Sequence, residues 1–278
     1  MLFKRNEKTI TKILIIVFLA VIILWVVGPI LIICSNSIKP SLDIKKIPSV
    51  LFFKPTLRHF ISAFDNGDFD VYFKNSFFIA VITTIISLSC GTIGAYGIWL
   101  ARDTWGNKIS NFILIGKLVP SITILIPFYV ILYFIHLHGT YAGPVLAHCS
   151  VNLPFVVWLM LGFIRNIPIG LYESALLDGA SRMRIFLSIY IPLLRPAFGS
   201  AFILSMQYSW NELVFSLQLT SLNTYTLPVG IARSVGAVAI DWGRGCASAT
   251  LTMLPIIIVG FIMQKYFTAG ITAGAIKE

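Results

Sequence analysis

The sequence predicts an all-α polytopic membrane protein with six transmembrane helices. Three observations lead there. The 278 residues are 57% hydrophobic and only 12% charged, with a mean hydropathy of +0.88. A soluble domain of this length could not hide so much apolar surface. The apolar residues gather into runs close to the ~20 residues a helix needs to cross hydrocarbon. The basic residues behind the net charge of +10 flank those runs. That is the arrangement of headgroup contacts, and it lacks the clustered basic face of a nucleic-acid binder.

The first run is Ile13–Cys34, preceded by Lys4, Arg5, Lys8 and Lys12. It is too long for the apolar region of a signal peptide and no Ala-x-Ala site follows, so it reads as an uncleaved span. The second is about Asn75–Ala101. Its Ser87, Gly91 and Ala95 lie four apart, a spacing that lets another helix approach closely in lipid. That helix could belong to this chain or to a second subunit. The third run is about Ile109–Ile135, interrupted by Lys117, Pro120 and Pro127. Lys117 is expected to snorkel to the inner interface. The fourth is about Gly143–Ile164, the fifth about Pro196–Thr220, and the sixth Cys246–Phe267. Each must be helical, because a backbone in hydrocarbon satisfies its own hydrogen bonds; the prolines predict kinks. No soluble domain or repeat is visible, so residues 1–278 read as one transmembrane domain.

An even number of spans puts both ends on one side. With both ends inside, eleven Lys and Arg fall inside and eight outside, six of the eight in the first outer loop, residues 35–74. Long loops follow the charge rule loosely, so both termini are expected in the cytoplasm.

Cys34, Cys90, Cys149 and Cys246 lie in or beside apolar runs without metal-ligand spacing, as buried hydrophobes would. His59, His136, His138 and His148 lack zinc-protease spacing, and no Gly-rich phosphate loop is present. The chain is therefore not expected to hydrolyse ATP. His148 sits in a span near its outer end, where a polar group is unusual.

Glu212 is the most informative residue in a span, since a carboxylate in hydrocarbon faces a cavity or a partner. A fifth helix starting near Pro196 places it about 24 Å along the axis, in the outer half of the membrane. Two readings stand side by side. Tyr208, Trp210, Asn211 and Glu212 supply the aromatic faces and amides of a solute pathway, or Glu212 bonds a neighbouring helix and holds a gate.

Between the fourth and fifth runs, residues 165–195 are polar and patterned. Pro168 suits a helix start, Ile169–Asp178 can be helical, and Gly179 suits its stop. Ser181 is a candidate N-cap for a second helix, which Pro192 is expected to end. The product is a helix–turn–helix on the cytoplasmic face, with Glu173 and Asp178 offering negative charge. It could rest on the membrane surface or dock on a partner.

The docking reading gains from a resemblance. Glu173, Ala175, Gly179, Ile189 and Pro192 fall on the spacing of the EAA loop of ABC-importer membrane subunits, with Ser174 and Ile191 departing from it. Asn152-Leu153-Pro154, Ser209-Trp210-Asn211-Glu212, Thr226-Leu227-Pro228-Val229-Gly230, Asp241-Trp242-Gly243 and the ending from Gln264 extend the likeness through the C-terminal half. The chain resembles the smaller permease subunit of maltose-type carbohydrate ABC importers. That implies half of a translocation pathway for a sugar or related solute, in a bacterial-type inner membrane. It implies a second permease, two ATP-binding subunits and an extracytoplasmic solute-binding protein as partners. No cofactor is implied on this chain; ATP and Mg²⁺ are expected on the ATPase subunits. The loop becomes an EAA-type coupling helix, with Glu173, Ser174, Ala175, Asp178, Gly179, Ala180, Ile189 and Pro192 as ATPase-coupling residues. Residues 268–278 are expected to reach the ATPase pair. Arg233, Asp241 and Trp242, in the long outer loop 221–245, become candidate contacts for the binding protein. An ABC permease for a polyol phosphate or an amino acid is the alternative.

Overall fold

The computed structural model describes residues 2–65, 68–235 and 241–275, and the side chains of 11–65, 68–233 and 241–262. Every regular element among them is helical. In chain order these are α1 (Leu2–Ile38), α2 (Ser41–Ile44), α3 (Arg58–Asp65), α4 (Phe69–Leu100), α5 (Gly106–Lys117), α6 (Ser121–Phe134), α7 (Ala142–Arg165), α8 (Ile169–Leu177), α9 (Arg182–Leu193), α10 (Arg195–Asn211), α11 (Val214–Leu219), α12 (Leu227–Val235) and α13 (Trp242–Ala275). Four helices, α1, α4, α7 and α13, are individually long and apolar enough to cross a membrane. The pairs α5–α6 and α9–α10 raise the number to six if each bent pair is one span. The all-α, multi-pass reading holds.

The third and fifth runs are corrected in form. The third is not a gently kinked helix; α5 and α6 meet at 92°. Pro120 lacks an N–H and pushes Val119 out of the helical region, so the helix stops and restarts at Ser121. Pro127, Pro154 and Pro255, each deep within a turn-rich apolar stretch, stay inside their helices. The fifth run breaks at Glu212, whose ψ of 123° is extended, before α11 begins. Pro192 does not end its helix either. A π-helical turn at Phe186–Tyr190 leads through it to Leu193, and the 75° bend into α10 follows.

The chain divides into two compact units. The first holds Met1–Phe69 and Ile231–Met253. There Lys39, only 3% exposed, lays its ammonium 5.1 Å from the Phe53 ring and 3.4 Å from Ser49 Oγ. Its carbonyl lies 2.9 Å from His59 Nε2. The His59 ring in turn fills the space beside Gly243, where even a Cβ would collide. The membrane-length part of α1 is exposed on every side within this chain, Trp25 most of all.

The second unit holds Asp70–Gly230 and Leu254–Glu278. Its core is a layer of α4, α7 and α10. Ser87 and Ala95 are fully buried, and a Cβ at Gly91 would run into the Val156 side chain. The small-residue stripe of α4 therefore packs against α7 of the same chain, which settles that choice in favour of intrachain packing.

Candidate functional site

Three regions of the second unit carry polar groups that an apolar core does not need. The first is the loop after α7. α8 stops at Leu177, and Gly179 takes a φ of +81°, the left-handed conformation that glycine adopts without cost. Ser181 then caps α9 by accepting from Arg184 N at 3.3 Å. The glycine stop and the serine cap both stand where the sequence put them. Glu173, Ser174, Asp178, Gly179 and Pro192 are exposed, while Ala175, Ala180 and Ile189 are half-buried. Around Ala175, Asp178, Ala180, Arg184, Ser188 and Ile189 lies a notch of about 250 Å³.

The inner side of this loop is held by aromatic rings. Tyr96 and Trp99 of α4 meet Tyr172 of α8 and Phe186 and Tyr190 of α9, with ring centroids 4.7 to 5.2 Å apart across the elements. The Tyr96 hydroxyl donates to the Arg182 carbonyl at 3.0 Å, and Arg102 caps the stack 4.4 Å over Trp99. Ile164 of α7, fully buried, belongs to the same cluster. Such rings each bury a large apolar area and lock relative orientation through edge and offset packing. The loop thus turns outward a mixed surface, with Glu173, Ser174 and Asp178 beside the exposed Leu177, Met183 and Leu187, and is clamped on the other side.

The second region lies toward the opposite end of α7. His148 is fully buried and Glu212 is 8% exposed. His148 Nε2 sits 3.0 Å from Glu212 Oε2 and 3.3 Å from Ser216 Oγ; Nδ1 sits 2.7 Å from Ser209 Oγ. Glu212 Oε1 accepts from Phe215 N at 2.9 Å, and Oε2 accepts from Ser216 N at 3.0 Å and from Ser216 Oγ at 3.1 Å. The carboxylate thereby satisfies the first N–H groups of α11, which the break had orphaned. Four contacts from within the chain meet the carboxylate, three at Oε2 and one at Oε1, so Glu212 ties α7 to the break between α10 and α11. Trp210 is interior as well, 1% exposed and edge-on to Phe73 at 5.5 Å.

The third region is an open groove of about 570 Å³ lined by Ser121, Leu204, Gln207, Tyr208, Asn211, Glu212, Leu213 and Val214. Of the four residues predicted for a solute pathway, Tyr208, Asn211 and Glu212 line it and Trp210 does not. Gln207 and Asn211 are one helical turn apart and both exposed, and the Asn211 amide donates to the Gln207 carbonyl at 3.0 Å. Gln207 and Ser121 were not singled out from the sequence; Ser121 reaches the groove only because α6 restarts there. His148 was noticed without a partner. A depth argument could have supplied one, since His148 and Glu212 lie about 8 and 12 Å from the outer ends of consecutive, oppositely running apolar runs.

In the loop 221–245, Asp241 Oδ1 accepts from Arg244 N at 3.0 Å and so opens α13 as an N-cap would. Trp242 is 48% exposed and Arg233 is exposed. Residues 236–240 and 276–278 lie outside the described residues, as do the side chains of 263–275. The loop 221–245 and the tail 268–278 are therefore covered only in part. Within the second unit the start of the loop is fixed: Asn75 Nδ2 donates to the Asn223 and Tyr225 carbonyls, both at 3.0 Å, and Ser76 Oγ accepts from Leu227 N at 2.7 Å. No cluster of metal-ligating side chains occurs among the described residues.

The chain as a whole is similar to known proteins. Residues 93–273 match the model of the binding-protein-dependent transport system inner membrane component family. A trehalose transport system permease protein of Mycobacterium tuberculosis is 31% identical over 255 residues, covering 90% of this chain and 92% of that protein. An arabinooligosaccharides transport system permease protein of Bacillus subtilis is 28% identical over 286 residues, covering 100% of both. In fold the chain is similar to a bacterial ABC transporter involved in import of the acidic polysaccharide alginate, with a TM-score of 0.79 and 21% identity, covering 94% of this chain and 98% of that one. A multi-pass helical chain matched over most of its length in this way belongs to the family of inner membrane components of binding-protein-dependent transport systems.

Proposed function

We propose that this chain is the transmembrane subunit of an ATP-driven carbohydrate importer, working as one permease domain over residues 1–278. Its partners are a second permease, two ATP-binding subunits that carry ATP and Mg²⁺, and an extracytoplasmic solute-binding protein. The observation that carries the solute class is that relatives aligned over nine-tenths or more of the chain are named for trehalose and arabinooligosaccharide transport. The alternative solutes, a polyol phosphate or an amino acid, have no such support.

The mechanism follows from the three regions. Both termini and the loop 165–195 face the cytoplasm. The exposed Glu173, Ser174, Asp178 and Gly179, with Ala175, Ala180, Ile189 and Pro192 around them, meet the ATP-binding subunit. When that subunit moves, the aromatic clamp carries the loop, α4 and the inner end of α7 as one body, and the bend at Leu194 passes the motion to α10. The polar knot at His148 and Glu212 keeps α7, α10 and α11 registered at the other end. The Gln207–Tyr208–Asn211 groove with Ser121 is this chain's share of the pathway, neutral and rich in hydrogen-bonding groups. Arg233, Asp241 and Trp242 face the binding protein.

The test is Gly179. Among the described residues nothing lies within 4 Å of a Cβ there, so bulk beyond Cβ is felt by a partner. The backbone strain of a positive φ is shared by Gly179→Ala, which serves as the control. In a transporter reconstituted with all subunits, Gly179→Trp should abolish uptake and binding-protein-stimulated ATP hydrolysis while the complex still assembles. Gly179→Asn tolerates the left-handed conformation and should keep most of the activity. Normal transport by Gly179→Trp would remove the coupling role.

A further inference from the structure

A groove of about 340 Å³ runs between the start of α5 and the end of α7. One end is polar: Ser110, Asn111, Arg165 and Asn166 line it, and no carboxylate does. Arg165 is exposed, and its guanidinium is aimed by a 3.1 Å hydrogen bond to Asn107 Oδ1 in the first turn of α5. The other end is apolar, formed by Leu114, Trp158, Leu159 and Phe163. Gly162 leaves this floor open, with nothing within 4 Å of where its Cβ would stand. Beyond it the exposed Lys117 ammonium lies 4.3 Å over Phe155 and 5.5 Å over Trp158, a second cation next to the apolar end.

Depth and polarity agree along this groove. Trp158 is seven residues from Arg165, about 10 Å along the helix, so the polar end lies at headgroup level and the apolar end among acyl chains. The exposed face of α5 beside it carries Ile109, Phe112 and Ile115, with Lys108 at its N-terminal edge. A basic side chain and amides at the membrane surface, continuous with an apolar furrow, match the two halves of one amphiphile. Basic pockets between spans on the cytoplasmic side are a recurring way to hold anionic headgroups.

We propose that this groove binds an anionic phospholipid of the inner leaflet, its phosphate against Arg165, Asn166 and Asn111 and an acyl chain over Gly162 and Trp158. The leaflet rests on the orientation proposed above; the lipid preference does not.

The test uses the complete transporter purified with all subunits and exchanged into nanodiscs of phosphatidylcholine containing phosphatidylglycerol. Lipid retained after delipidation is counted by native mass spectrometry. Wild type should retain phosphatidylglycerol in preference to phosphatidylcholine. Arg165→Gln should weaken that preference about fivefold, the worth of one basic residue at a membrane surface, and Arg165→Lys should restore part of it. Gly162→Leu has room to fold and should displace the lipid with Arg165 intact. Equal retention of both lipids by wild type, or unchanged retention in Arg165→Gln and Gly162→Leu, would overturn the site. So would a photo-crosslinker at position 162 that attaches to a protein subunit, which would make the groove a seam between subunits. Labelling of Asn166→Cys from outside intact cells would sink the orientation alone, leaving the lipid preference to be read independently.

Discussion

The two ends of α7 are held by opposite chemistry. At the Arg165 end, Val157, Met160, Leu161 and Ile164 join the rings of Tyr96, Trp99, Tyr172, Phe186 and Tyr190. At the Ala142 end, His148 enters a closed set of hydrogen bonds with Ser209, Glu212 and Ser216. The difference is one of tolerance. Apolar packing is non-directional, so the loss of a polar atom there costs little as long as volume is kept. A buried hydrogen-bonded charge is directional, and deleting one member leaves the others desolvated and unpaired. The loop end thus tolerates changes that keep its volume, while the knot has one arrangement or none.

The comparison breaks most sharply at Glu212. Glu212→Ala strands the His148 ring and two backbone N–H groups of α11, and should cost about 3–5 kcal/mol, the range for removing one partner of a buried pair. Thermal unfolding of the assembled transporter reads it. Adding His148→Leu should cost far less than the sum of the two single changes, because the residues share one network; strict additivity would mean that the knot is not a unit.

Gly91, on the seam between α4 and α7, sharpens it next. Gly91→Leu must displace Val156, and overpacking of that kind should cost about 1–3 kcal/mol. Pairing it with Val156→Ala should recover part of the loss. A Gly91→Leu protein as stable as wild type would mean that α4 and α7 do not pack as described.

The smallest effects separate two hydroxyls of the aromatic clamp. Tyr96 donates to the Arg182 carbonyl, so Tyr96→Phe should cost about 0.5–1.5 kcal/mol. The Tyr190 hydroxyl is buried and has no hydrogen-bond partner among the described residues. Tyr190→Phe should leave stability unchanged or raise it slightly. A loss at Tyr190 as large as that at Tyr96 would show that its hydroxyl has a partner in the assembly.

Much of the loop was legible in advance. Gly179 and Ser181 act through local backbone geometry, a left-handed turn and an N-cap, which depend on residues within one or two turns. The same locality explains why the small-residue stripe of α4 could be seen but not assigned. Four-residue spacing says that something packs closely, and only the position of Val156 says what. Pro120 and Pro192 make the contrast plain. Each removes one N–H, yet at Pro120 the chain bends by 92° and at Pro192 a π-helical turn absorbs the fault.

The sequence by itself determined the solvent, the helical class and the family, because these rest on composition, on run length and on local motif spacing. Tertiary structure alone decided which polar groups in the spans are occupied. Glu212 and His148 are 64 residues apart, and nothing local distinguishes a carboxylate waiting for solute from one already filled by an imidazole, a hydroxyl and two backbone N–H groups. Uptake by the Glu212→Ala transporter reads whether solute also meets that carboxylate. What the structure adds is that these helices lie side by side at the same depth, which brings the carboxylate to the imidazole.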